Sequence, residues 1–338
     1  MKKNRSPKVP FAEVLAALLD DSRPLPPAYL YQLSDLEEGA LVELKRLWNQ
    51  IPARRRINLL EDLAGLQESD DVLSFERIAA HALRDPEPQA RIFALEILWD
   101  DPIPGRLNTL LHILQKDPEP AVRAQAAAVL GEYVFLGEVD HLNEDQKVIL
   151  EEALLASAEP GEDPRVQRRA LESLGASSHP DVPGLIQTAF NRPEVEWIAS
   201  ALTAMGRSAD EERWGKTVLD CLHHPETQIH LEAVRAAGTL GLAAARQPLL
   251  DMLEDDHEED REILMAVVWA LSGIGGPGVR DALTRLSEEV EDDEEADLID
   301  EALENLMMVD SLDGQEMFDF GMDPDESDPA EDAGQRSN

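Results

Sequence analysis

Between residues 192 and 241 the chain repeats itself. Pro193-Glu194-Val195 leads to Ala201-Leu202-Thr203-Ala204-Met205-Gly206, and Pro225-Glu226-Thr227 leads to Ala233-Val234-Arg235-Ala236-Ala237-Gly238, with the two glycines 32 residues apart. Self-similarity at a period of about 20–50 residues marks a stacked-repeat architecture, in which one helix pair cannot bury its apolar face alone and leans on the next. No other feature of the sequence restricts the fold so strongly.

With the terminal glycine as reference, the same position recurs at Gly65, Trp99, Gly131, Gly175, Gly206, Gly238, Gly273 and Met307, at spacings of 34, 32, 44, 31, 32, 35 and 34. Five residues earlier stand Leu60, Ala94, Ala126, Ala170, Ala201, Ala233, Val268 and Ala302, every one small or apolar. Small residues at a fixed helical position let neighbouring helices approach closely, and larger apolar neighbours fill the layer between them. Ahead of most of these helices comes a turn built on Asp, Pro or both: Asp85-Pro86, Asp117-Pro118, Asp163-Pro164, Arg192-Pro193, His224-Pro225. An Asp there can accept backbone N–H groups, and Pro suits the first helical turn, where its missing donor has no partner to lose. Another apolar-periodic segment precedes each turn, for example residues 107–114, 182–190, 214–222 and 248–253. Each unit reads as helix, short turn, helix.

Asp117-Pro118 followed by Val122-Arg123-Ala124-Gln125-Ala126-Ala127-Ala128-Val129-Leu130-Gly131 resembles a HEAT repeat, and among these it is similar to the HEAT-like units of phycobilisome lyases. The resemblance spans roughly residues 34–308. It implies an all-α, right-handed α-solenoid of about eight helix pairs, and it implies an Asp–Arg ladder along the turns. Only the third unit keeps the Val-Arg pair; the corresponding second position is Ile57, Arg91, Gln167, Ile198, His230, Met265 or Ile299 elsewhere, so the ladder should be patchy. The matching residues are packing residues and specify fold rather than function.

Composition narrows the functional classes. One cysteine, Cys221, excludes an internal disulfide framework and a multi-cysteine zinc site, and it points to a reducing compartment. The basic start at Met1-Lys2-Lys3-Asn4-Arg5 is followed by too short an apolar run for a signal sequence, interrupted by Glu13, and no run reaches the ~18 residues of a membrane span. A soluble, cytoplasmic protein without a membrane partner is expected. The net charge is −40, and residues 254–338 carry 29 acidic and 4 basic residues. Such a surface repels phosphate backbones, so nucleic acid is not an expected partner.

Taken in order, residues 1–33 read as a basic arm and an N-terminal cap, with a short helix at residues 11–19 and aromatic contact from Tyr29 and Tyr31. Ser34-Asp35-Leu36-Glu37 has the form of a capping box opening the first paired helix. Arg54, Arg55 and Arg56 read as a solvated collar. The spacing of 44 between Gly131 and Gly175 predicts a protruding loop around residues 134–143, where Phe135 and Leu136 are either a local plug or a contact point. Residues 309–338 read as a disordered acidic tail carrying Met317, Phe318 and Phe320, either incidental tail composition or a short docking motif.

No catalytic set stands out. The repeat-fold metal hydroxylases hold two irons with several His-Glu dipeptides, whereas His257-Glu258 is the one such pair here. Cys221 with His223 and His224 reads as structural. No cofactor or metal is expected. The second helix of each HEAT pair lines the concave face, and positions seven, six and three before the reference residue should face outward. They include Ile92, Phe93, Gln125, Arg168, Arg169 and Arg235, an apolar-to-basic run suited to a protein or peptide ligand. Ile92 and Phe93 face either that ligand or the next repeat. The function expected is non-catalytic protein–protein interaction, as scaffold or adaptor; the alternative is a bilin-lyase-like enzyme or enzyme subunit.

Overall fold

The computed structural model describes residues 9–70, 72–99, 102–254, 260–290 and 292–319, without the side chains of residues 293, 294 and 310–319. It is all-α, an α-solenoid in class, and its described residues form eighteen α-helices and four short 3-10 helices without a strand. Two compact units divide between Ala209 and Asp210.

In the N-terminal unit, α1 (Phe11–Leu19) and α2 (Pro27–Leu30) precede five helix pairs. These are α3 (Glu38–Leu47) with α4 (Ala53–Ser69), α5 (Glu76–Ala82) with α6 (Pro88–Ile97), α7 (Leu107–Lys116) with α8 (Pro120–Glu138), α9 (Glu144–Ala158) with α10 (Pro164–Leu174), and α11 (Val182–Phe190) with α12 (Val195–Arg207). The C-terminal unit adds three pairs: α13 (Glu211–Cys221) with α14 (Thr227–Thr239), α15 (Arg246–Glu254) with α16 (Arg261–Ile274), and α17 (Val279–Glu289) with α18 (Asp293–Asp319).

In both units the second helices form the tighter row, each packed on the second helix of the next pair. The small residues explain this. A Cβ on Gly175 would fall 2.6 Å from the carbonyl oxygen of Ala204, and one on Gly238 would fall 2.6 Å from the Cα of Ala270. Backbone meets backbone at these crossings, and no side chain fits. Gly175 caps α10, and Gly206, Gly238 and Gly273 each sit one residue before the end of their helices, whereas Gly65 and Gly131 lie well inside α4 and α8. Ala94, Ala126, Ala170, Ala201 and Ala233 are fully buried along the same stripe.

An arginine ladder fastens successive turns in the N-terminal unit. Arg56 donates to the Ile51 carbonyl of its own turn (2.6 Å) and, through Nε (2.6 Å) and Nη2 (3.0 Å), to both carboxylate oxygens of Asp85 in the next. Arg91 repeats the scheme, donating to the Asp85 carbonyl at 2.8 Å and to both Asp117 oxygens at 2.8 Å. Arg123 donates to the Asp117 carbonyl (2.9 Å) and to Glu162 (2.5 Å). Gln167 reaches only the Glu162 carbonyl of its own turn, at 2.6 Å, and there the ladder stops. The solvated collar expected at Arg54–Arg56 is thus wrong for two of its members. Arg56 is buried in the ladder; Arg55 is buried too and donates to the Asp20 carbonyl at 2.8 Å, just past the end of α1. That bond, with buried Val14, Leu15, Leu18, Leu30 and Leu33, seats the first two helices; Tyr31, expected to pack, is 52% exposed.

Three local expectations also give way. Ser34 does not open α3. Its hydroxyl accepts from the Ser74 amide and the Asp35 amide donates to the Ser74 carbonyl, which ties the first pair to the second. The capping box is instead at Asn143 and Gln146, at the start of α9. Of the extra residues in the third spacing, 134–138 lengthen α8 to Glu138, anchored by Lys147 at 3.0 Å from Glu138, and only 139–143 form a short connection to α9. Phe135 on that extension is 55% exposed and Leu136 is half-buried. Finally, α18 continues past the last periodic residue, Met308, to Asp319; residues 320–338 lie outside the described residues.

Two stability outcomes are expected. Gly175→Ala should destabilise the chain by about 1–3 kcal/mol or more, because backbone must move, whereas Gly65→Ala, with nothing within 4 Å of its Cβ, should be neutral or stabilising. Denaturant melts of both variants check this. The ladder adds a pH test. Burial would raise the Asp85 carboxyl, but hydrogen bonds from Arg56, the Glu87 amide and the Trp48 indole outweigh it and hold the group below its ordinary value. A depressed carboxylate contributes stability above its unfolded pKa and loses it as pH falls through the folded one. Asp85→Asn should therefore cost about 3–5 kcal/mol near neutrality, and the gap to wild type should shrink in melts below about pH 4.

Candidate functional site

The second helices of the N-terminal unit present a single row of side chains at equivalent positions: Asp62 on α4, Ile92, Phe93 and Glu96 on α6, Gln125 on α8, Arg168 and Arg169 on α10. Ile92, Phe93, Gln125 and Arg168 are half-buried, and Arg169 is exposed. The expected outward positions do not all face solvent. Leu59, Ala124, Ala128, Ala199, Ser200, Leu231, Ala266, Val267 and Ala270 are buried, because the close crossings of the second helices consume that side of the row. What stays accessible is concentrated near α4–α6 and on α10.

The charges along this row are sorted. Asp62 and Glu96 lack an ion pair or a hydrogen-bond partner among the described residues. Burial, then the neighbouring Glu61, raises the Asp62 carboxyl; burial, then Glu61 and Glu68, raises Glu96. Glu96 and Glu68 both line a cavity of about 290 Å³, together with Ala64, Gln67, Ile97 and Trp99. On α10, Arg169 donates to Glu172 at 2.7 Å, and Glu172 also accepts from the Ser200 hydroxyl at 2.6 Å. Arg168 has no ion-pair partner among the described residues. The positions of Asp62 and Glu96 are legible in the repeat register, but their unpaired state is not, since it depends on which cations the ladder takes up.

The remaining candidates lie apart. Arg235 belongs to the C-terminal unit, where it is exposed and bridges Glu232 (2.7 Å) and Glu262 (2.9 Å). Met317 and Phe318 fall on the last turns of α18, with side chains outside the described set, and Phe320 lies outside the described residues, as does His257-Glu258. Cys221 is buried, and burial, with Asp220 beside it, pushes its thiol up, away from the reactive thiolate. His224 accepts from the Glu226 amide at 3.1 Å and so serves the turn before α14. Among the described residues no group of three or more His, Cys, Asp or Glu is placed to hold a metal ion, and no helix is long and apolar enough to cross a membrane.

Residues 215–306 match the family described as HEAT repeats. That stretch, from α13 onward, is HEAT repeat, and the pairs before it share its helix–turn–helix construction and small-residue stripe. No curated protein matches the sequence. Among solved structures, the X-ray structure of Escherichia coli YibA is 17% identical, covering 85% of this chain and 99% of its own, with a TM-score of 0.42. The complex of CpcE and CpcF of phycocyanin lyase from Nostoc sp. PCC7120 is 16% identical, covering 68% and 94%, with a TM-score of 0.46. Human deoxyhypusine hydroxylase is 19% identical, covering 88% and 94%, with a TM-score of 0.34. At these values the likenesses carry nothing about function.

Proposed function

We propose that the chain is a non-catalytic protein-binding scaffold or adaptor, and that the row of second helices from α4 to α10 receives a polypeptide segment. The sorting of charge along that row carries the reading: unpaired Asp62 and Glu96 near one end, half-buried Ile92 and Phe93 beside them, Gln125 beyond, and Arg168 with Arg169 on α10. Apolar anchors with flanking charges are the chemistry of protein interfaces, where a few aromatic and arginine contacts dominate the binding energy. A fitting partner brings basic side chains to the acidic end, an apolar residue to Phe93, and a carboxylate to Arg168 and Arg169. Arg235 in the C-terminal unit and Met317, Phe318 and Phe320 are proposed as secondary contacts for the same class of partner.

Capture from the native host, followed by titration of the recovered partner, tests the reading. The double variant Phe93→Ala, Arg169→Glu should weaken affinity by about 2–4 kcal/mol, with the melting temperature little changed. Because a partner's cation favours the charged form of Glu96, affinity should also fall as pH drops through that group's raised pKa, and Glu96→Gln should flatten this dependence. A folded double variant with unchanged affinity would remove these residues from the interface.

A further inference from the structure

The first helices of the N-terminal unit carry a second surface, of opposite sign. Lys45 and Arg46 lie in the last turn of α3, Arg84 lies two residues past the end of α5, and Lys116 ends α7. All four are exposed, and none has an ion-pair partner among the described residues. Elsewhere in this acidic chain cations are mostly taken up, as at Arg77 with Glu38 and Arg106 with Glu76 near the opposite ends of the same first helices. The free cations adjoin one another. The His81 imidazole is pushed down by burial and then by the charges of Lys45 and Arg84, against a smaller opposing effect of Asp85. Arg84, His112 and Lys116 line one cavity of about 580 Å³ between the ends of α5 and α7. The acid in that cavity, Asp117, is already held by both donors of the Arg91 fork.

A cation in a last helical turn complements the helix dipole, which accounts for its presence. It does not account for three first-helix ends whose adjacent acids, Asp85 and Asp117, are held by Arg56 and Arg91 and leave these cations unpaired, in a chain of 70 acidic and 30 basic residues. We propose that this stripe binds an acidic polypeptide segment laid across the ends of α3, α5 and α7, with the cavity between Arg84 and Lys116 as its principal seat. A small anion fills only the cavity and leaves Lys45 and Arg46 unused. Duplex nucleic acid carries about one phosphate charge per 1.7 Å, so it meets stronger repulsion from the −40 chain than a peptide whose carboxylates are about 3.3 Å apart or more.

The test is anisotropy of a fluorescein-labelled peptide of about ten alternating Asp and Glu residues, titrated with the full-length chain at low salt, where such contacts are least screened. Saturable binding is expected. Arg84→Glu combined with Lys116→Glu should weaken it about tenfold or more, and Arg84→Lys should retain it, because the site reads charge. Lys216→Glu, at an exposed lysine on α13 paired with Asp220, should leave it unchanged. Unaltered circular dichroism of the double variant keeps a loss of binding interpretable. The proposal is overturned if the double variant binds the peptide normally, or if Lys216→Glu weakens binding equally. It is overturned too if inorganic phosphate or duplex DNA displaces the peptide at lower charge concentration, which would assign the cavity to those ligands.

Discussion

Everything in this fold depends on how closely the second helices approach one another. At Gly175 against Ala204 and at Gly238 against Ala270 the crossing leaves no room for one added carbon. The gain is dispersion contact along a dense row of fully buried Ala, Leu and Val side chains, each contact small and the sum large. The geometric result is that second helices sit nearer than first helices, so each unit keeps an accessible outer row with room for exposed charge. Both candidate surfaces stem from that asymmetry: a half-closed second-helix row with its charges sorted, and an open first-helix side whose C-terminal ends carry unneutralised cations.

The arginine ladder supplies direction where apolar packing supplies only adhesion. Each guanidinium holds a carbonyl of its own turn and a carboxylate of the next, and at Arg56 and Arg91 a planar, two-pronged grip sets the register between pairs. Its end at Gln167 has a plain cause, since a single amide cannot span both partners. Beyond it, other polar contacts take over: Ser200 on Glu172, and Arg207 on Glu132 at 2.6 Å, both within the N-terminal unit. By occupying Asp85, Asp117 and Glu162, the ladder also determines which acids and cations are left for partners.

Much of the fold is legible in the residues, because the repeat is a packing requirement written every thirty-odd positions. The helix at Phe11–Leu19, the second-helix stripe and all eight pairs emerge from spacing alone. The errors share one cause, the competition between local and tertiary partners. Ser34 looks like a helix cap until Ser74 claims its hydroxyl. Arg55 and Arg56 look solvated until the Asp20 carbonyl and Asp85 capture them. The residues added before α9 look like a loop, yet α8 runs on through Glu138 before the chain turns at Asp140. The second-helix face is legible as a position in the repeat, with Ile92, Phe93 and Arg169 accessible on it, while the burial of Ala124, Ala199 and Val267 depends on crossing distances that no single helix specifies. The basic stripe is harder still to read, since it depends on Arg56 and Arg91 having already taken up the neighbouring Asp85 and Asp117.

Native-state hydrogen exchange with mass-spectrometric detection addresses the dominance of the second-helix row most directly, because slow exchange reports the segments that open only with the whole unit. Within the N-terminal unit, amides of α6, α8 and α10 should exchange slowest, α5, α7 and α9 faster, and Gly175→Ala should accelerate α10 and α12 together. First helices as protected as the second, or a Gly175→Ala effect confined to α10, would contradict it.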